Sequence, residues 1–281
     1  MTTATATPRR RAVGTPRRLN RHRLRASFNK NALTWLALGI FLFLYLPIFI
    51  LVIYSFNANK VVGVWTGFSF HWYGELVRNE AVLDSLRVSL WVAIWSTLAS
   101  TVLGTMAALA LERYRFRGRL TFDGVLYLPV IIPDIVMALS TLLFFVIFAI
   151  PLSRYTILIA HIAFNISFVA IVVRARLAHM DTHLEEAAAD LGANEWTTFR
   201  RVTLPLLTPG IVAGALLAFT LSLDDFVITF FVAGPGSTTL PIRVYSMIKF
   251  GVTPEVNAVS TLMLVGSSVL VIISLLVQRR S

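Results

Sequence analysis

Six long apolar runs alternate with short charged stretches along the chain, over about residues 32–56, 89–111, 124–150, 155–173, 206–231 and 257–277. A helix needs roughly 20 apolar residues to cross the hydrocarbon core of a bilayer. The pattern therefore predicts an all-α, polytopic membrane protein with six transmembrane helices. Residues 57–88 carry Trp65, Phe68, Phe70, Trp72 and Tyr73 between the first two runs. Aromatic residues of this kind fit a segment lying at the membrane interface. Residues 232–256 hold Gly234, Pro235, Gly236, Pro241 and Pro254, so turns are expected there.

The segment 174–205, between the fourth and fifth runs, has a pattern of its own. Leu184, Ala187, Ala188 and Leu191 stand at i, i+3, i+4 and i+7, which is one helical face. Gly192 follows as a stop signal, and Asn194 is placed to cap a second short helix with Trp196, Phe199 and Val202 on its apolar side. Pro205 and Pro209 mark the start of the fifth span, where proline is tolerated in the first turn. The small alanines allow another surface to approach closely, and Glu185, Glu186 and Asp190 can pair with basic groups. This helix–glycine–helix unit reads either as a docking element or as a unit packed under the chain's own helices, and periodicity favours neither.

Composition supports the membrane class. Hydrophobic residues make up 57% of the chain and charged residues 14%, against about 25% charged in an ordinary soluble domain. The absence of cysteine excludes a disulfide scaffold and a thiolate metal site. Of the five histidines only His179 and His183 stand at i, i+4. Met180 follows the first where a zinc-protease motif has Glu, and although Asp181 or Glu186 completes a site on paper, the pair reads as two polar residues on an exposed helix, with no metal.

The formal charge of +11 is explained by topology. Residues 1–30 hold nine Lys/Arg and no acid. They read as a disordered cytoplasmic tail that fixes orientation and touches anionic membrane lipid, not as a nucleic-acid arm, ahead of a membrane domain over 31–281. The apolar run after the tail is too long for the h-region of a cleaved signal peptide. With both termini in the cytoplasm, nineteen of the 25 Lys/Arg fall on the inside, and only Lys60, Arg78, Arg87, Arg154, Arg243 and Lys249 fall outside. That asymmetry predicts both termini cytoplasmic.

Three acids lie inside the predicted spans: Asp134, Asp224 and Asp225. An ionisable group at the centre of a span costs roughly 2.5–3.5 kcal/mol on insertion scales and marks a pathway by default. No Lys or Arg sits at comparable depth, which suits a cation. On the fifth span Gly210, Gly214, Ala218, Ser222, Asp225 and Thr229 follow at steps of three or four, forming one small and polar stripe. Its first half reads as helix packing and its second half, with Ser222, Asp225 and Thr229, as pathway. Asp224 points about 100° away from Asp225 and is placed to bond a neighbouring helix. Asp134 follows Pro133, where a kink is expected in the third span. His161 and Asn165 are i, i+4 neighbours expected to bond across helices.

Glu186-Ala187-Ala188, three residues, Gly192, nine residues, then Val202-Thr203-Leu204-Pro205 resembles the EAA signature of ABC importer permeases, with Val202 where isoleucine is more usual. Two further stretches look like the C-type permease of spermidine/putrescine importers. One is Ser222-Leu223-Asp224-Asp225-Phe226-Val227-Ile228-Thr229 with Ala233-Gly234-Pro235-Gly236; the other runs from Leu240-Pro241 through Tyr245-Ser246-Met247 to Gly251-Val252-Thr253-Pro254-Glu255-Val256-Asn257-Ala258. Trp72-Tyr73-x-x-Leu76 is similar too.

The resemblance implies a type I ABC importer permease fold in the bacterial cytoplasmic (inner) membrane. It makes the cytoplasmic loop the ATPase-coupling element, through Glu186, Ala187, Ala188, Gly192, Leu204 and Pro205. The implied partners are a second homologous permease, an ATPase homodimer and an extracytoplasmic solute-binding protein. ATP closes the ATPase pair, moves the docked loops and tilts the permeases between outward-open and inward-open states. The chain has no G-x-x-x-x-G-K-[ST] loop, so it is expected to be non-catalytic and to bind no cofactor, with ATP and magnesium held by the partner ATPase. A related importer for ferric iron, thiamine or an amino acid derivative is the nearest alternative. A gradient-driven carrier is a further one, against which the docking loop argues.

Overall fold

The computed structural model describes residues 21–279 apart from 62, 182, 250 and 252; of the tail read over residues 1–30, residues 1–20 lie outside the described residues. The chain forms two units, residues 1–50 and 51–281. The first is carried by α1 (Arg21–Tyr54), whose residues Ala32–Tyr54 are long and apolar enough to cross a membrane. The described helix includes residues 21–30 of the stretch read as tail, which contain neither Pro nor Gly to interrupt it.

The second unit contains α2 (His71–Arg78), α3 (Glu80–Arg113), α4 (Arg119–Ile131), α5 (Asp134–Ile147), α6 (Arg154–Ala178), α7 (His183–Asp190), α8 (Glu195–Thr198), α9 (Leu204–Asp224), α10 (Val227–Val232), α11 (Leu240–Lys249) and α12 (Pro254–Arg279). Among the described residues there is no strand, only an isolated bridge between Asn57 and Phe68.

Contacts order the helices between two ends. Arg154 at the start of α6 lies over Trp91, 5.0 Å from its ring centre, while Arg174 near the end of α6 bonds Glu112 near the end of α3. The two helices are therefore parallel. Helix α9 runs the other way, with Gly210 against Arg176 and Gly214 against Val169. Helix α12 starts where Asn79 bonds Glu255, beside the start of α3, and passes Asp224 at Ser267. The seam between α3, α6 and α9 is built from small residues. A Cβ on Gly104 would stand 2.8 Å from the Ile166 carbonyl oxygen and from Val169 Cβ, and one on Gly214 would stand 3.4 Å from Val169 Cα. Lipid offers no hydrophobic drive for helix pairing, so close backbone approach supplies dispersion contacts instead.

The third span departs from the expected single helix. Residues 119–147 form two short helices, α4 and α5, bent by 114°. Pro133 has no N–H to donate, and it pushes Ile132 into extended backbone, φ −76° and ψ 133°. Both halves fall short of crossing alone. The pair still joins the two ends. Asp123 on α4 bonds Arg174 at one end, and Phe145 on α5 packs with Val92, Ile157 and Val232 at the other.

The fifth span is broken as well. Helix α9 stops at Asp224, Asp225 takes extended backbone (φ −64°, ψ 125°), and α10 restarts at Val227. At its other end there is no gap where the sequence suggests a fresh start at residue 206. Helix α8 passes through a π-helical turn, Phe199–Thr203, directly into α9. Helix α6 likewise runs on through Arg174 to Ala178.

Candidate functional site

The break in the fifth span places Asp225 as a cap. One carboxylate oxygen accepts from Thr229 N at 2.8 Å and Thr229 Oγ1 at 2.7 Å, and the other accepts from Ile228 N at 3.3 Å. These are N–H groups of the first turn of α10, which no helical carbonyl satisfies. His161 of α6 completes the arrangement. Its Nδ1 is 2.7 Å from Ser222 Oγ, and its Nε2 is 2.9 Å from Thr229 Oγ1 and 3.2 Å from an Asp225 oxygen. Ser222 in turn lies 3.0 Å from Ser96 Oγ on α3. A carboxylate beside Nε2 favours the proton on that nitrogen, leaving Nδ1 to accept from Ser222. His161 thus bonds residues on both sides of the break. Sequence periodicity could place it on a helix face but gave no sign that it spans one.

A cavity of about 380 Å³ opens at the same level. It is lined by Asp134, Asp224 and Asp225, together with the rings of Phe164, Phe168 and Phe226. All three acids singled out in the sequence therefore line one cavity. Their surroundings differ. Asp224 accepts from Ser267 Oγ of α12 at 3.0 and 3.2 Å, the neighbouring-helix bond expected of it. Asp134 opens α5 directly after the bend, is exposed, and has no side-chain hydrogen-bond partner among the described residues. Its negative charge suits the positive end of the α5 dipole.

Ser222 and Thr229 are placed differently from the sequence expectation. Both are buried and bonded to His161, and neither lines the cavity. From Gly210 to Ser222 the stripe on the fifth span is a packing seam against α3 and α6, and of Ser222, Asp225 and Thr229 only Asp225 reaches the cavity. Asn165, a turn beyond His161, is buried with neither amide atom hydrogen-bonded to protein, so only His161 of that pair bonds across helices.

The second group of residues is the segment after α6. Helix α7 ends as the sequence predicts. Gly192 has φ +84°, its N–H bonds Ala189 O at 2.9 Å, and Ala193 N bonds Ala188 O at 3.0 Å. This is the hydrogen-bond pair of a glycine-terminated helix end. Asn194 then caps α8 through Thr197 N at 2.8 Å. Helix α7 buries no residue, and Leu184, Leu191 and Trp196 are exposed. Glu186 and Ala187 are exposed, Ala188 and Leu204 half-buried, and Pro205 exposed at the start of α9. The unit presents an apolar face to the outside and does not pack under the helices.

His179 caps α6 and His183 begins α7, so the two stand on different helices and not on one as expected. His183 Nδ1 bonds Glu186 at 3.1 Å. That bond, and then the nearby Asp181 and Glu186 charges, raise its pKa above the ordinary histidine value.

The family profile described as "binding-protein-dependent transport system inner membrane component" matches residues 100–281. The chain is 45% identical over 241 residues to the spermidine/putrescine transport system permease protein PotC of Escherichia coli K12, covering 86% of this chain and 91% of that one. It is 47% identical over 231 residues to the putrescine transport system permease protein PotI of the same organism, covering 80% and 82%. In fold it resembles a chain of a bacterial ABC transporter that imports the acidic polysaccharide alginate. The TM-score is 0.69 at 19% identity, over 92% of this chain and 99% of that one. The chain therefore belongs to the binding-protein-dependent transport inner membrane components, multi-pass proteins of the bacterial inner membrane with the fold of ABC importer permeases.

Proposed function

We propose that this permease moves polyamines, spermidine or putrescine, through the acid-lined cavity. The gathering of Asp134, Asp224 and Asp225 around one cavity with three aromatic rings carries this reading. A polyamine is a flexible chain of ammonium groups, and carboxylates and ring faces both attract such cations. Several acids with different hydrogen-bond partners permit passage, whereas one tight cage would hold the cation. The relatives named for spermidine and putrescine support the same substrate class.

In this reading both termini are cytoplasmic, and the exposed face of α7 and α8 receives an ATPase homodimer through Glu186, Ala187, Ala188, Gly192, Leu204 and Pro205. A second homologous permease completes the membrane part, and an extracytoplasmic binding protein delivers the solute. ATP and magnesium are bound by the ATPase, and this chain catalyses no covalent step. The test is uptake of radiolabelled putrescine and spermidine by cells that lack polyamine import and express this chain with its neighbouring transporter subunits. Saturable, ATP-dependent uptake supports the proposal. Uptake of neither polyamine, with the complex assembled, rejects it.

A further inference from the structure

Glu185 and Glu186 are chain neighbours with opposite surroundings. The Glu186 side chain is 70% exposed, and that of Glu185 is 17% exposed. The Glu185 carboxylate receives both terminal nitrogens of Arg113, Nη2 at 2.6 Å, and the Thr203 hydroxyl at 2.5 Å. A two-pronged guanidinium–carboxylate contact fixes direction as well as distance. Arg113 closes α3, and Thr203 closes the π-helical turn that feeds α9. Among the described residues, the Arg113 bonds are the side-chain hydrogen bonds that join α7 to α3.

The end of α3 is anchored a second time. Glu112 bonds Arg174 of α6 at 2.8 Å, and the same guanidinium bonds Asp123 of α4 at 2.5 Å. From that anchored end α3 runs about 25 Å of helix to Ser96. Ser96 bonds Ser222, two residues before Asp224 and the break beside the cavity. A continuous path of directed contacts therefore leads from α7 to the acids.

We propose that Glu185 is a positioning residue for energy coupling: its pair with Arg113 carries displacement of α7 into α3, and through α3 to the helix break at the cavity. The inference rests on the reading of α7 as the ATPase dock. A contact that swivels would absorb the displacement in side-chain rotation. The two-pronged pair with a third donor resists that rotation, and it lies off the exposed face that meets the ATPase.

The test uses the assembled transporter in proteoliposomes, with Glu185→Ala, Glu185→Arg, Arg113→Glu and the charge-swapped double variant. Three quantities are read: the ATPase that co-purifies, its rate of ATP hydrolysis, and putrescine imported per ATP hydrolysed. In Glu185→Ala the ATPase stays attached and hydrolyses ATP, while putrescine per ATP falls about tenfold, equivalent to about 1.4 kcal/mol. The swap recovers most of that loss, although Glu185→Arg and Arg113→Glu alone do not. Glu185→Gln, which keeps the shape and loses the charge, reads the same ratio where the alanine variant of the permease does not reach the membrane. An unchanged ratio in Glu185→Ala, or no recovery in the swap, overturns the proposal. Loss of the ATPase from Glu185→Ala overturns it too, since Glu185 would then belong to the dock itself. Failure of the docking reading shows separately, as an ATPase that stays attached to Glu186→Arg.

Discussion

His161 Nε2 stands 3.2 Å from a carboxylate oxygen of Asp225, while its Nδ1 holds Ser222 at 2.7 Å on the other side of a helix break. Such a break leaves backbone groups without helical partners, which is costly where there is no water to satisfy them. Here Asp225 satisfies the start of α10, and His161 satisfies Asp225. Removing the ring leaves Ser222, Thr229 and Asp225 each short of a partner. At about 1–3 kcal/mol for an orphaned buried polar group, His161→Ala lowers the Tm of the purified complex by several degrees. His161→Gln retains one donor and one acceptor, so its loss is smaller. Equal melting of all three proteins would show that the ring does not hold the break.

The end of α7 makes a graded prediction. Gly192 sits at φ +84°, and nothing lies within 4 Å of where its Cβ would be, so the cost of substitution is backbone strain and not collision. Asn tolerates this region better than other residues, and β-branched residues are its true outliers. Transport therefore falls in the order Gly192, Gly192→Asn, Gly192→Ala, Gly192→Val, with membrane insertion unchanged. Gly192→Asp adds a negative charge to the proposed dock and is expected to abolish uptake, as is Glu186→Arg. Full uptake with intact ATPase binding in Gly192→Val would reject the loop's role.

Orientation is open to a direct test because the chain has no native cysteine. Single variants Lys60→Cys and Thr238→Cys are expected to react with a membrane-impermeant maleimide in intact cells. Arg10→Cys and Ala193→Cys react only after the membrane is opened. Labelling of Ala193→Cys from outside would contradict cytoplasmic termini.

What the sequence made legible is what depends on local spacing. The apolar runs located the crossings, Gly192 and Asn194 announced their own backbone roles, and the steps of four from Gly210 to Ser222 marked the face that packs closest. Pro133 announced a kink, but not one of 114°, because the size of a bend is set by what the two halves pack against: Arg174 for α4, Val92 and Ile157 for α5. The break at Asp225 carried no Gly or Pro. Its signal was an Asp with Thr four residues on, a capping pattern hidden inside an apolar run. The inward turn of Glu185 and the outward turn of Glu186 were likewise illegible, since both adjoin the same alanine face. Arg113, 72 residues earlier in the chain, and Thr203, 18 residues later, separate them by bonding Glu185.

The pathway acids give the last prediction, and the structure changes their ranking. Sequence put Asp225 first because it lies on the small, polar stripe. Its neighbours on the stripe, Ser222 and Thr229, turn out to be buried packing, and both Asp225 oxygens are taken up by Ile228, Thr229 and His161. An amide in its place presents an NH2 group toward donors, so Asp225→Asn is expected to weaken the break and lower the yield of assembled complex. Asp224 keeps a single hydroxyl partner, Ser267, which an amide oxygen can replace. Asp134 has no side-chain hydrogen-bond partner to lose among the described residues and lines the same cavity from the other broken helix. Asp134→Asn and Asp224→Asn therefore assemble normally and hydrolyse ATP at the basal rate. Each removes one of the charges that a passing diammonium chain meets, so putrescine uptake falls about tenfold, as for an interaction of about 1.4 kcal/mol. The double variant falls further than either single. Normal uptake in both single variants, with the complex assembled, would place the cation's path elsewhere. Poor assembly of Asp134→Asn would make that acid a structural partner despite its free carboxylate.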